Sequence, residues 1–512
     1  MSKPFYITTT LPYVNADPHV GFAMEFIRAD VIARYKKSIG CEVFFNTGTD
    51  EHGQKLLTAA KEEGKEVQDY VDGYAAKFRD LKELLGITDE VHFIRTTDTH
   101  HMEAAQELWQ RCDTNGYIYK KNYQTKYCIG CELEKTDSEL VDGRCPIHPK
   151  MDIELRDEEN YFFALSKLEE KLNALYAAKP TLIIPDFRFN EMRAFLERGL
   201  QDFSISRPAS KMSWGVPVPT DESHVMYVWF DALTNYISTL GWPNDTKGLY
   251  KKFWEEGEKV QYCGKDNIRQ QSLMWQAMLL AAELPTTDHV VINGFINSGG
   301  QKMSKSLGNV ISPSALIEYY KPFAGELASD VLRYYVLRHG NSFEDFDMTA
   351  ASVLDAYNAN LANGLGNLVS RTLKMTTANS VLLEENEIAE IENVVFSSSL
   401  TESSLYYYFN QGIKNFEINK ACDEVWRMIQ EVDKQIQDKK PFSLIKTDPE
   451  QAKKDLKWTL SEVYRIAKML EPLLPKTSIK IREQIKENKI LEKPLFYRID
   501  KQSPKDEGYM CL

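Results

Sequence analysis

Two lysines three positions apart, Lys302 and Lys305, stand in the run Lys302-Met303-Ser304-Lys305-Ser306, introduced by Gly299-Gly300-Gln301 and followed by Leu307-Gly308-Asn309. Ammonium groups on a short glycine-flanked segment can move onto the β- and γ-phosphates of a nucleotide, with the Ser304 hydroxyl between them. A second candidate anion site lies near the start. The run Phe5-Tyr6-Ile7-Thr8-Thr9-Thr10 predicts a strand, Leu11 to Pro18 a loop, and His19-Val20-Gly21-Phe22 the opening of a helix. Met24, Ile27, Val31 and Tyr35 recur at helical spacing, and Gly40 is placed to end that helix. A helix N-terminus reached from a strand presents unpaired N–H groups and the positive end of the dipole to an anion. His19 stands at that point. His-x-Gly alone is a weak signal; paired with the two lysines it becomes strong.

A different chemistry is written between these segments. Cys128-Ile129-Gly130-Cys131 and Cys145-Pro146-Ile147-His148 each hold two ligand-type residues on a tight turn. Three thiolates and an imidazole give the closed tetrahedral set that Zn2+ prefers, with no position left for water, so the metal would be structural. Reduced thiols brought together by chance in a loop are the alternative. The remaining Cys41, Cys112, Cys263, Cys422 and Cys511 show no partner spacing, and eight cysteines in a chain this long do not describe a disulfide scaffold.

The elements that must position these groups are those of a large α/β enzyme. At 512 residues and 43% hydrophobic content the chain can bury several cores. No apolar run reaches a membrane span, and Met1-Ser2-Lys3-Pro4 lacks the features of a signal peptide, so the cytoplasm is the expected location. A formal charge of −13 argues against sequence-blind nucleic-acid binding. A local basic strip such as Lys476, Lys480, Arg482, Lys486 and Lys489 could still serve one structured RNA, or be a solvated helix face.

The lysine run resembles the KMSKS loop of class I aminoacyl-tRNA synthetases, and His19-Val20-Gly21-Phe22 resembles their other signature. The resemblance implies a Rossmann-type parallel-sheet catalytic domain. It also implies that His19 donates to the α-phosphate of ATP, that Gly21 lets the adenine lie against the backbone, and that Lys302, Ser304 and Lys305 hold the remaining phosphates. The family motif ends in histidine where this chain has Phe22; losing one charge-assisted bond to a transition state costs roughly 2 to 4 kcal/mol. A single zinc knuckle in a short insertion is similar to the methionyl-tRNA synthetases, whose isoleucine, valine and leucine relatives carry far longer insertions. Gly48-Thr49-Asp50-Glu51-His52-Gly53 resembles the motif after the family's second strand, which implies that Asp50 holds the α-ammonium of the amino acid. Leu11, Tyr13, Trp229, Ala232 and Tyr236 match positions that wall the methionine pocket, and sulfur packs well on aromatic edges. Gly264-Lys265-Asp266 resembles the turn before a pocket helix, where Asn267 and Gln271 replace the usual isoleucine and histidine. Gln271 could bond a tyrosine hydroxyl such as that of Tyr13.

From Thr349 the composition turns helical. Leu354, Tyr357, Leu361, Leu365 and Leu368 form an apolar seam, and Asn363, Asn367 and Arg371 fall roughly opposite it. Two amides and a guanidinium on an exposed face can read splayed RNA bases, and the triplet is similar to the anticodon-reading helix of the methionyl-tRNA synthetases. Phe442, after Lys440-Pro441, stands where the family shows a stacking tryptophan. Residues 391–404 are expected to form a loop. The expected order is a Rossmann domain over 1–114 and 226–296 split by a zinc-knuckle insertion over 115–225. The KMSKS-loop linking domain at 297–348, an α-helical bundle for the anticodon at 349–490 and a C-terminal tail at 491–512, polar at 504–508, complete it. The resemblance implies activation of methionine with ATP and Mg2+, transfer to tRNA(Met), and a monomer. An RNA-binding paralogue without adenylation, or another class I enzyme such as a cysteinyl synthetase, are the other readings.

Overall fold

The strand expected at the start, β1 (Phe5–Thr8), is buried at every residue and lies inside a six-stranded parallel sheet. A computed structural model describes residues 3–500 apart from 129–132, 136–139, 147–149, 304–307 and 398–399. On one side of β1 run β2 (Val43–Thr49) and then β3 (Val91–Arg95); on the other run Glu258–Gly264, His289–Asn293 and Ile183–Ile184. Phe5 lies opposite Val43 on one flank and Glu258 on the other. A parallel sheet is covered on both faces, which is why β2 reads as a continuous buried run. The covering helix α1 (Val20–Ser38) is itself enclosed, with Glu25, Arg28 and Asp30 buried alongside its apolar residues.

One boundary differs from expectation. The stretch 115–225 is not wholly an insertion, because Ile183 and Ile184 pair with Val290 and Val291 as the edge strand of the main sheet. That register rests on partners more than a hundred positions away, which local pattern cannot reveal. The rest of the stretch builds two separate antiparallel sheets, dominated by the long pairing of Ile118–Cys128 with Glu154–Phe163.

Thr349 starts the helical part with a capping box shared with Ser352. Tyr357, Leu361, Leu365 and Leu368 are buried as the seam requires, although Tyr357–Gly366 winds as a wide π-type helix. The expected loop at 391–404 starts later, since a helix runs over Glu385–Val394. The polar part of the expected tail, 504–508, lies outside the described residues, whereas the start of the tail is packed down. Leu495, Phe496 and Ile499 are buried, the Tyr357 hydroxyl donates to the Tyr497 carbonyl at 2.8 Å, and Asn358 exchanges two bonds with the Ile499 backbone. Among the described residues, no helix is long and apolar enough to cross a membrane.

A buried charge pair ties the segment preceding the helical bundle to α1, and the same arginine reaches the bundle. Arg333 contacts Asp30 of α1 at 2.7 Å, both side chains fully buried, and donates to the Leu473 and Pro472 carbonyls at 2.8 and 3.1 Å. Nearby Asp330 accepts from the Thr477 backbone and hydroxyl, each at 2.7 Å. Replacing one partner of such a pair leaves the other charge stranded in low dielectric, so Asp30→Ala is expected to cost about 3–5 kcal/mol. Urea denaturation checks this, and an unmoved midpoint would refute it.

Candidate functional site

The carboxyl ends of β1, β2, Glu258–Gly264 and His289–Asn293 open into one cavity of about 550 Å3. β1 lies at the point where strand order reverses, the position at which parallel sheets leave a crevice for ligands. Leu11, Tyr13, His19, Gly21, Asp50, Trp229 and Lys302 all line it. Four segments far apart in the chain therefore meet there.

His19 caps α1, and its Nδ1 accepts the Gly21 N–H at 3.1 Å. A ring held this way in its neutral form carries its proton on Nε2, and burial lowers the pKa of His19, favouring that form. Gly21 leaves room for the His19 ring: a Cβ there would stand 2.9 Å from it and displace it. Phe22 also lines the cavity, and its ring packs against Phe26 and edge-on against Phe78, with centroids at 5.9 and 5.3 Å. The position that holds histidine in the resembling motif thus belongs here to an aromatic wall.

Asp50 follows β2, and its backbone holds the loop after β1. Asp50 N–H donates to the Pro12 carbonyl at 2.9 Å and Val14 N–H to the Asp50 carbonyl at 3.2 Å. Its buried Oδ1 has no hydrogen-bond partner. Burial, followed by the Asp231 charge, pushes its pKa well up. Asp231 behaves oppositely: burial raises it, but His52 at 2.6 Å and His101 at 2.9 Å bring it down to about 2.

Three expected pocket residues stand behind the wall. Ala232, Tyr236 and Gln271 are buried and do not line the cavity. Gln271 does not reach Tyr13; its Nε2 donates to the Tyr236 hydroxyl, while its Oε1 accepts from Gln261 at 3.1 Å. Asn267 does line the cavity. Sequence reasoning missed Glu25, a lining residue whose Oε1 accepts the Thr10 N–H at 2.7 Å. A carboxylate beside Met24 on a helix buried all round was the available signal.

Lys302 ends a short hairpin made by Ile296–Ser298 and Gln301–Lys302, with its Nζ 4.9 Å from the Phe295 ring centre. Ser304 and Lys305 lie outside the described residues. Of the zinc set, Cys131 and His148 also lie outside them, and Cys128 is described by its backbone alone, closing the strand Ile118–Cys128 opposite Leu133. Cys145 is fully buried directly after a tight turn in which Val141 and Arg144 exchange backbone bonds. In the bundle, Asn363 and Asn367 are exposed, whereas Arg371 is paired with Asp433 at 2.8 Å. Phe442 is exposed on the short helix Pro441–Leu444. The basic strip is largely neutralised: Lys480 meets Glu326, Arg482 meets Glu392 and Glu471, and Lys489 meets Glu487. It reads as a solvated face.

Burial raises the pKa of Glu25 to about 8 from its ordinary 4.5, against the bond from Thr10. The folded state therefore binds this proton more tightly, and its stabilising effect, complete below the ordinary value, is lost as pH rises through the folded one. Glu25→Gln, which keeps the acceptor and cannot ionise, is expected to gain thermal stability over the parent as pH rises from about 5 to 8. Equal melting differences at both pH values would refute this.

Comparisons with known proteins agree with this geometry. The family described as tRNA synthetases class I (M) matches residues 5–152 and 138–373, and the anticodon binding domain of methionyl tRNA ligase matches 387–494. Methionine–tRNA ligase of Nostoc sp. is 39% identical over 94% of this chain and 90% of its own length. That of Thermotoga maritima is 38% identical over 94% of this chain and 75% of its own. Methionyl-tRNA synthetase of Mycobacterium tuberculosis, solved in complex with methionyl-adenylate, superposes with a TM-score of 0.83 at 33% identity, covering 97% of this chain and 100% of that one. A parallel-sheet catalytic domain whose cavity gathers both signature segments, joined to a helical bundle, makes this chain a member of the methionyl-tRNA synthetase family of class I aminoacyl-tRNA synthetases.

Proposed function

We propose that this cavity joins methionine to AMP and then hands the acyl group to tRNA(Met). The methionine carboxylate attacks the α-phosphorus of ATP, forming one P–O bond as the bond to pyrophosphate breaks. The terminal ribose hydroxyl of the tRNA then attacks the carbonyl and AMP leaves. The observation that carries this reading is the meeting of His19, Gly21, Asp50, Tyr13, Trp229 and Lys302 around a single cavity at the sheet's carboxyl end.

Each residue has a physical task. His19 donates from Nε2 to phosphate oxygens, with the α1 dipole behind it. Lys302, and Lys305 further along the same run, offset the charge that builds on pyrophosphate. Mg2+ bound with ATP would share that load. The open Oδ1 of Asp50 accepts the α-ammonium, whose charge favours the ionised carboxylate that burial opposes. Leu11, Tyr13 and Trp229 give the thioether an apolar and aromatic wall. Ala232, Tyr236 and Gln271 support it from behind. Asn363, Asn367, Arg371 and Phe442 face the anticodon, Arg371 exchanging Asp433 for RNA. The same reading has the chain acting as a cytoplasmic monomer.

Zn2+ would be held by Cys128, Cys131, Cys145 and His148, and it would supply folding energy to the insertion rather than chemistry. The turn that leads directly into a buried Cys145 fits such a ligand knuckle.

Methionine-dependent exchange of pyrophosphate into ATP is the direct test. Wild-type protein should exchange with methionine and not with cysteine, and Lys302→Ala should slow exchange by about tenfold to a thousandfold. Absence of exchange by the parent would refute the function. Cys145→Ser is expected to lower bound zinc, measured by elemental analysis, and to make the insertion sensitive to protease; zinc content equal to the parent's would refute the ligand assignment.

A further inference from the structure

The hairpin that presents Lys302 has little to hold it. Its strands, Ile296–Ser298 and Gln301–Lys302, share two residue pairs, and its turn residues Gly299 and Gly300 adopt left-handed φ of 61° and 74°. Two short strands joined by glycines are marginal on their own. A third strand, Phe346–Asp347, runs parallel to the first, pairing Ile296 with Phe346 and Asn297 with Asp347. Phe346 N–H donates to the Phe295 carbonyl at 3.1 Å, and Met348 N–H to the Asn297 carbonyl at 2.9 Å.

Two carboxylates extend this support. At the base, Asp345 accepts the Phe295 N–H at 2.9 Å and pairs with Lys265 at 2.7 Å. Gly294 lets the chain pass there, since a Cβ would stand 2.2 Å from the Glu344 carbonyl carbon. At the tip, Asp347 Oδ1 accepts the Gly300 N–H at 2.7 Å. This bond spans from the third strand to the turn itself, two residues before Lys302. On the far side of the run, Asn309 Nδ2 donates to the Lys302 carbonyl at 3.3 Å; Asp347 is the side chain that holds the turn of the hairpin itself.

We propose that Asp347 is a positioning residue for the activation step: by holding Gly300 it sets where the Lys302 hairpin stands over the triphosphate. The proposal rests on the function given above and deepens it. Asp347 is exposed and lies outside the cavity lining, so it touches neither methionine nor the reacting atoms. Its loss should therefore act on one substrate and not on the other. An amide at the same position keeps an oxygen facing Gly300, and a methyl group does not.

Pyrophosphate exchange on Asp347→Ala and Asp347→Asn tests this, with methionine binding by equilibrium dialysis as a second measurement. Displacing a catalytic group by about an ångström can cost up to about a hundredfold in rate, so the alanine variant is expected to lose about tenfold or more in kcat. Its methionine affinity should stay within about twofold, and asparagine should restore kcat to within about threefold of the parent. Parental kcat in the alanine variant overturns the proposal. So does an asparagine variant as slow as alanine, or loss of methionine binding together with rate, which would make Asp347 a general stability residue. A parent protein without methionine-dependent exchange would instead overturn the function itself.

Discussion

The pairing of Phe5–Thr8 with Glu258–Gly264 is the constraint on which the rest depends. These strands are separated by some 250 positions, yet their parallel alignment places the loop after one beside the turn after the other. That loop carries Leu11, Tyr13 and His19, and that turn leads into Asp266 and Asn267 at the cavity. Without this register the imidazole and the ammonium of Lys302 would belong to different regions of the molecule. The Tyr6 hydroxyl, donating to the Tyr236 carbonyl at 2.8 Å, fastens the same strand to the helix behind the pocket.

Around this alignment the chain uses buried charges as fasteners rather than as catalysts. Arg28 of α1 donates to the Asn293 side chain and to the carbonyls of Ser342, Gly340 and Asn341. One guanidinium thus ties the helix that presents His19 to the segment preceding the Lys302 hairpin's third strand. Asp231 does similar work between His52 and His101, and its negative charge contributes to the high pKa of Asp50. Burial thus sets most of the shift at Asp50, and a residue behind the cavity wall adds to it.

What could be read from the residues was whatever local chemistry dictates. β1, the helix opening at His19 and the apolar seam at Tyr357 to Leu368 follow from periodicity and turn composition. Leu11, Tyr13, Asp50 and Trp229 were named only through the family resemblance, and they line one cavity with His19, Gly21 and Lys302. The failures share one cause, dependence on distant partners. Ile183–Ile184 became an edge strand because of Val290 and Val291. Gln271 found Tyr236 in place of Tyr13. Residues 495–499 were covered because Tyr357 and Asn358 offered them backbone bonds. Spacing along its own helix likewise could not show that Arg371 pairs with Asp433 on another, which leaves its expected role untouched.

The Arg333–Asp30 contact has a mechanical meaning for a protein that must serve two ends of one long RNA. Pulling the helical bundle away would strip the Arg333 guanidinium of the Leu473 and Pro472 carbonyls and leave buried donors unpaired in a medium that solvates them poorly. One side chain thus transmits load between the bundle and the helix that presents His19.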